Sequence, residues 1–70
     1  MMRNLNVKPY KAAFSERNDY VTFYAYNDWQ AVKIALKKAE QNGYGKVLNI
    51  YEVAPRTGRL ISLVYRERGV

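Results

Sequence analysis

Hydrophobic and polar residues alternate in the segment from Tyr20 to Tyr26. Successive side chains of a β-strand point to opposite faces of the sheet, so this alternation predicts a strand. The residues on one side, which we expect to face a core, are Val21, Phe23 and Ala25. The residues on the other side, which we expect to be exposed, are Tyr20, Thr22, Tyr24 and Tyr26. A strand that presents three tyrosines outward predicts a surface that contacts another molecule.

The segment from Asp28 to about Gln41 has the periodicity of an amphipathic helix. Asn27 is suited to the N-cap position, and Gln30 three residues later completes a capping-box pattern. Gly43 is suited to end the helix in a left-handed conformation. The apolar residues that share one helical face, and that we expect to be buried, are Trp29, Ala31, Val32, Ala35, Leu36 and Ala39. Ile34 falls on the polar side, where we expect an isolated exposed residue.

Three further segments have strand character. They are Lys8 to Phe14, Lys46 to Val53, and Leu60 to about Arg66. The loop residues Ala54 to Arg59, which include Pro55 and Gly58, predict a hairpin between the last two strands. Pro9 predicts that the first strand lies at an edge of the sheet, because proline has no N–H to donate.

This order of elements predicts a single α+β domain over residues 1–70, with a mostly antiparallel sheet of three or four strands and one helix on one face (ββαββ). The sheet residues expected beneath the helix are Val21, Phe23, Ala25, Leu48, Ile50, Ile61 and Leu63. The residues expected on the opposite face are Tyr20, Tyr24, Tyr26, Tyr51, Val47, Val53, Leu60 and Val64. An exposed apolar face of this size is expected to meet a ligand, a partner or a second copy.

The charge of the chain favours an anionic partner. Twelve Lys and Arg against six Asp and Glu give a net charge of +6, which favours contact with a polyanion or an acidic protein surface; the alternative is that the charge serves solubility alone. No apolar run is long enough to span a bilayer, and residues 1–6 lack the apolar stretch of a secretory signal. We therefore expect a cytoplasmic protein with no membrane partner.

The composition disfavours catalysis. The chain contains no histidine and no cysteine, so the commonest general base and the commonest zinc ligands are missing. The carboxylates are scattered without metal or acid–base spacing, and they are Glu16, Asp19, Asp28, Glu40, Glu52 and Glu67. Neither a phosphate-binding glycine loop nor a dinucleotide fingerprint is present. We expect no enzymatic activity, no cofactor, no metal and no small-molecule substrate.

The tyrosine face, to which Tyr51 is expected to contribute, has three interpretations. Aromatic side chains on an open sheet stack single-stranded bases in RNA-recognition domains. They are equally common in the cores of protein interfaces, including those of homodimers. The third interpretation is that tyrosines favour strands by propensity alone. Protein binding, either to a host target or to a second copy, is the leading prediction.

Four arginines accompany the tyrosines in the alternative prediction, nucleic-acid binding. Arg56 and Arg59 flank the tip of the hairpin, and Arg66 and Arg68 lie near the C-terminus. An arginine-tipped hairpin is suited to a DNA groove or to phosphate contacts. Charged residues at a loop tip are also commonly just solvated, so this reading stays open beside the first.

One stretch of the chain, Val21 to Val53, has a layout found in other small proteins. A strand that ends in Tyr24-Ala25 leads into a helix with Ala31 and Ala35 four residues apart, and a helix-ending turn and a Val-rich strand follow. This layout resembles that of small phage inhibitors of bacterial RNA polymerase and other phage products that block host machinery. The chain differs from them by its second hairpin and its more basic charge. The resemblance implies a phage or mobile-element origin and action by binding, without identifying a target.

Overall fold

The computed structural model describes residues 7–68 of the chain. These residues form four strands and one helix, which are β1 (Lys8–Phe14), β2 (Val21–Ala25), α1 (Asp28–Asn42), β3 (Val47–Val53) and β4 (Leu60–Arg66). The strands form one antiparallel sheet, and the helix packs on one of its faces. This confirms the predicted α+β fold and its order of elements. The prediction about a secretory signal concerns residues 1–6, which lie outside the described residues.

The spatial order of the strands is β2-β1-β3-β4. The prediction that Pro9 places β1 at an edge is therefore wrong, because β1 lies between β2 and β3. Pro9 pairs with Tyr24 of β2, whereas the register of β1 with β3 begins one residue later, at Tyr10 and Glu52. The missing N–H of proline thus falls at the start of the strand, before β1 is paired on both sides, where it is tolerated.

The connection from β2 through α1 to β3 crosses over β1. Both β2 and β3 are antiparallel to β1 and hence parallel to each other, so the three elements form a β-α-β unit with one strand inserted between its two strands. This arrangement centres the helix on β2, β1 and β3. It leaves β4 at the side of the sheet that is farthest from β2.

Both ends of the helix are capped as the sequence predicts. Asn27 has an extended backbone, and its side-chain oxygen accepts a hydrogen bond of 2.8 Å from the Gln30 N–H. The Gln30 side chain bonds to the N–H of Tyr26, at 2.7 Å, which lies one residue earlier than the N-cap N–H of a standard capping box. Gly43 ends the helix at φ 69°, and its N–H bonds to the Ala39 carbonyl.

The core lies between the sheet and a stripe of three alanines, Ala31, Ala35 and Ala39, all of them buried. Alanine has a short side chain, so the helix comes close to the sheet and the larger sheet residues fill the interior. The buried sheet residues of this core are Tyr10, Ala12, Phe14, Phe23, Ala25, Val47 and Ile50. The ring of Tyr10 stacks on that of Phe23, with centroids 5.9 Å apart.

Two helix residues that we expected in the core are exposed. Trp29 is 70% exposed, and Leu36 is about half exposed. The alanine stripe is centred on Ala35, and with about 100° of rotation per residue Leu36 lies on one flank and Ile34 on the other. The prediction for Ile34 is also wrong, because this residue is half-buried and packs against the core. Leu36 is directed toward β4, where the helix covers little of the sheet.

The predicted faces of β3 and β4 need correction. Leu48, Ile61 and Leu63 are exposed, although we expected them beneath the helix. Val47 and Val64 pack in or against the core, although we expected them on the opposite face. The physical reason is three register shifts, one between β1 and β3 and two between β3 and β4. Each shift inserts an extra residue into one strand. Beyond that residue, every side chain of the strand points to the face opposite the one that simple alternation predicts.

The described part of the chain includes no helix of the length and apolar character that crossing a membrane requires.

Candidate functional site: the open sheet face

The sheet face that points away from α1, called here the open face, is defined by the strand register. Lys11 is the central residue, with Thr22 of β2 on one side and Tyr51 of β3 on the other. Tyr51 in turn lies opposite Leu63 of β4. The strand residues that share this face are Pro9, Lys11, Ala13, Thr22, Tyr24, Asn49, Tyr51, Val53, Leu60, Leu63 and Arg66.

The three alternating tyrosines are exposed, and Tyr20 and Tyr24 lie on the open face, as the alternation predicts, whereas Tyr26 follows the end of β2. Tyr20 is 43% exposed, Tyr24 60% and Tyr26 50%. Their inward neighbours Phe23 and Ala25 are buried beneath the helix. β2 is also an edge strand of the sheet, so the exposed rings lie along one border of the open face.

Tyr20 and Tyr51 come together across the central strand. Their ring centroids are 6.4 Å apart and the rings are nearly perpendicular, at 84°. Edge-to-face contacts of this kind are favourable for aromatic rings. Two of the residues predicted for the site are therefore held in a defined geometry before any partner arrives, although they are 31 residues apart in the chain.

The four arginines do not form one cluster. Arg56 and Arg59 lie in the loop before β4, and Arg66 and Arg68 lie at its far end. At a rise of about 3.3 Å per residue, the backbones at Arg59 and Arg66 are about 23 Å apart. Arg66 belongs to the open face, where it lies opposite Asn49.

Lys11 is a site residue that the sequence reasoning missed. It occupies the middle of the open face, and a Cβ built on Gly58 would lie 3.7 Å from its Nζ, so the hairpin loop approaches the ammonium group. The loop therefore lies against this end of the face, where Val53 is buried although we expected it to be exposed. The available signal was the alternation of Tyr10, Ala12 and Phe14, which puts Lys11 on the other side.

The electrostatic character of the open face is positive. Its strand positions within residues 7–68 include Lys11 and Arg66 but no Asp or Glu. The nearest strand carboxylate in the sheet, Glu52, points to the helix side, as its pairing with Tyr10 shows. Oδ1 of Asn49 is buried and accepts no hydrogen bond from any described residue, which is uncommon in folded proteins.

The side chains of this face can make several kinds of non-covalent contact. Exposed phenol rings, two cations and one amide supply stacking, hydrogen bonds and attraction for anions. The strongly perturbed tyrosine, Tyr10, lies in the core on the other side of the sheet, where burial raises its pKa to about 12. Its hydroxyl therefore stays protonated at neutral pH and is shielded from any ligand on the open face.

Comparisons with protein-family models, with curated proteins and with solved structures gave no match to this chain.

Proposed function

We propose that this chain is a non-catalytic accessory protein that binds an acidic surface of another protein through its open face. The observation that supports this most directly is the exposure of Tyr20, Tyr24 and Tyr26, which lie in or directly beside the edge strand β2. Tyrosine offers a large contact area with few rotatable bonds, so it loses little conformational entropy on binding. Aromatic residues are also enriched where protein interfaces bind most strongly.

The composition of the whole face suits a protein partner. The apolar residues Leu60 and Leu63 are exposed at the border opposite the tyrosines, so a partner would meet aromatic rings at one side and aliphatic side chains at the other. Lys11 and Arg66 favour a partner that carries carboxylates between its apolar contacts. The resemblance to phage products that block host machinery supports a bacterial host protein as that partner, and with it a phage or mobile-element origin.

Nucleic-acid binding is the second candidate, favoured by one observation. The described strand positions of the open face combine tyrosine rings and two cations without a carboxylate, a combination that suits single-stranded DNA or RNA. The separation of Arg56 and Arg59 from Arg66 and Arg68 counts against a single phosphate-binding patch. For this reason the protein partner stays the first proposal.

The decisive experiment is capture from a bacterial lysate, with and without nuclease, using matched variants. We expect the wild type to retain a specific protein after nuclease treatment and Tyr24→Asp to lose it. Lys37→Gln lowers the net charge by the same single unit on the exposed side of α1 and should retain the protein. If both variants capture it equally, the open face is not the binding surface.

A salt titration separates the two candidates. A nucleic-acid complex should weaken steeply with salt, with log K falling by about 0.7–0.9 per phosphate contact for each tenfold rise in salt concentration. Capture that nuclease abolishes, together with this salt dependence, would replace the first proposal by the second.

A further inference from the structure

The strand β4 forms the sheet edge opposite β2, and its side chains are poorly covered. All residues from Leu60 to Leu63 are exposed, whereas the inward residues of β2 lie under the helix. Within residues 7–68, β4 pairs only with β3, so no described strand bonds to the backbone groups of its outer side. An edge of this length with exposed aliphatic side chains is one that recruits another strand.

We propose that the outer edge of β4 pairs with β4 of a second copy of this chain, antiparallel and around a two-fold axis at Leu63. Closed two-fold dimers are the commonest assemblies of identical chains, and their interfaces are self-complementary. β4 contains neither proline nor lysine, the residues that most often protect an edge, and its one charged residue is Arg66 at the end.

The position of the axis follows from the length of the strand. With the axis at Leu63, all seven residues of β4 are paired. The cross-strand neighbours are Leu60 with Arg66, Ile61 with Tyr65, and Ser62 with Val64 of the second copy. Moving the axis by one residue, to Ser62 or to Val64, leaves only residues 60–64 or 62–66 paired within the strand. Fewer paired residues mean fewer backbone hydrogen bonds and less apolar contact.

Charge complementarity selects the same axis. One residue beyond each end of the strand, the register brings Arg59 opposite Glu67 of the second copy, and symmetry repeats this contact. Opposite charges directly across an antiparallel pair are favourable. Arg59 is exposed in the single copy, and Glu67 has Lys46 as its only described salt-bridge partner, at 3.9 Å. Neither neighbouring axis brings Arg59 opposite a carboxylate.

A groove beside β4 suits the same partner. Leu36, Ala39, Val47 and Tyr65 form the apolar part of an open groove of about 310 Å³ between α1 and the sheet, and the charged residues Glu40, Lys46 and Glu67 also line it. The proposed register brings Ile61 of the second copy beside Tyr65, at this groove. Ile61 is 57% exposed in the single copy, and the dimer would remove much of that aliphatic surface from water.

The consequence is a continuous eight-stranded sheet whose axis is perpendicular to its plane. Such an axis keeps both open faces on one side of the sheet and both helices on the other. Two sets of tyrosines would then face the same direction, which allows bivalent contact with a partner. The pairing uses backbone groups of β4 and none of the tyrosines of β2. The two proposals share the strand β4, but the pairing is argued and tested without reference to a partner on the open face.

The test begins with light scattering on the full chain, for which we expect twice the chain mass of 8.2 kDa. The chain has no cysteine, so single cysteines report the register directly. Position 63 of one copy lies opposite position 63 of the second copy. Leu63→Cys should therefore form a disulfide-linked dimer under mild oxidation. Leu60→Cys is the matched control, because its copy would lie about 20 Å away along the strand. Only a mixture of Leu60→Cys with Arg66→Cys should cross-link.

Charge reversal gives a second test that leaves the apolar residues intact. Arg59→Glu opposes two carboxylates at each end, and we expect roughly a tenfold higher dissociation constant of the dimer. The double variant Arg59→Glu, Glu67→Arg should return the dissociation constant of the dimer to the wild-type value. Tyr24→Asp should leave this dissociation constant unchanged. A monomeric wild type at high micromolar concentration, equal cross-linking of Leu60→Cys and Leu63→Cys, or failure of the double variant to restore the dimer would overturn the proposal.

Discussion

The hydroxyl of Tyr10 donates a hydrogen bond of 3.0 Å to Oδ1 of Asp28 and so joins the central strand to the first turn of the helix. Tyr10 is fully buried, and Asp28 lies where the helix dipole favours a negative charge. The contact positions the start of α1 over the middle of the sheet. The opposite face of that sheet is left open by this arrangement.

Removing the hydroxyl of Tyr10 should weaken the fold without changing its shape. Tyr10→Phe keeps the ring and its stacking on Phe23 but loses the hydrogen bond. We expect a loss of about 1 kcal/mol in the free energy of unfolding, because the Asp28 side chain regains water in exchange. Urea unfolding followed by circular dichroism measures the change. Tyr24→Phe, which alters an exposed ring, should stay within about 0.5 kcal/mol of the wild type; equal losses would contradict the role given to Tyr10.

The stability of the fold should fall at alkaline pH through Tyr10. Burial, followed by the hydrogen bond to Asp28 and the charges of Asp28 and Glu52, raises the pKa of Tyr10 from 10.0 to about 12. Between these values the unfolded chain has lost the phenol proton and the folded chain keeps it, so the folded state binds more protons and stability decreases as pH rises. The stabilising contribution is complete below pH 10 and is lost by about pH 12.

The expected size of this loss is about 3 kcal/mol, because the pKa rises by about two units and each unit corresponds to about 1.4 kcal/mol. Unfolding curves across this pH window measure it for the wild type and for Tyr10→Phe. Only the wild type has the Tyr10 hydroxyl. The difference in the free energy of unfolding between the wild type and Tyr10→Phe should therefore decrease as pH rises. Parallel curves for the two proteins would show that Tyr10 ionises normally in the folded state.

Gly45 should tolerate substitution less well than Gly43. Both have positive φ, 84° and 69°, but a Cβ on Gly45 would meet the side chains of Ser15 and Glu16, whereas a Cβ on Gly43 would meet nothing within 4 Å. We expect Gly43→Ala to lose about 1 kcal/mol of stability through backbone strain. Gly45→Ala should lose about 2–4 kcal/mol because the turn must also shift. Thermal unfolding of both variants tests the difference, and a larger loss at Gly43 would contradict it.

Trp29 should contribute little to stability despite its size. It is 70% exposed, and its ring lies 4.3 Å from Nζ of Lys33, a contact that adds at most about 1 kcal/mol at an exposed site. Trp29→Ala should therefore lose less than about 1 kcal/mol. Phe14→Ala removes a buried ring beside Tyr44 and should lose about 3–5 kcal/mol. Urea midpoints of the two variants measure this contrast. Similar losses of stability would show that Trp29 packs in the core and would contradict the prediction.

Local patterns predicted the elements and the tyrosine side of the open face. Alternation over Tyr20 to Tyr26 and the caps at Asn27 and Gly43 depend on a few neighbouring residues, and the structure confirms them. The same reasoning failed for Trp29 and Leu36. The helix contacts the sheet through a narrow row of three alanines, so apolar residues beside that row stay exposed. The binding roles of the tyrosines and arginines stay predictions.

The sequence by itself determined which segments are strands and helix, where the helix begins and ends, and which residues of β2 point outward. These features arise from backbone geometry and from hydrogen bonds between residues close in the chain. Only the tertiary structure decided that β1 is central, that β4 is a poorly covered edge, and that Lys11 and Arg66 share a face with Tyr24. Strand order and register shifts depend on contacts between segments far apart in the chain, and no local pattern records them.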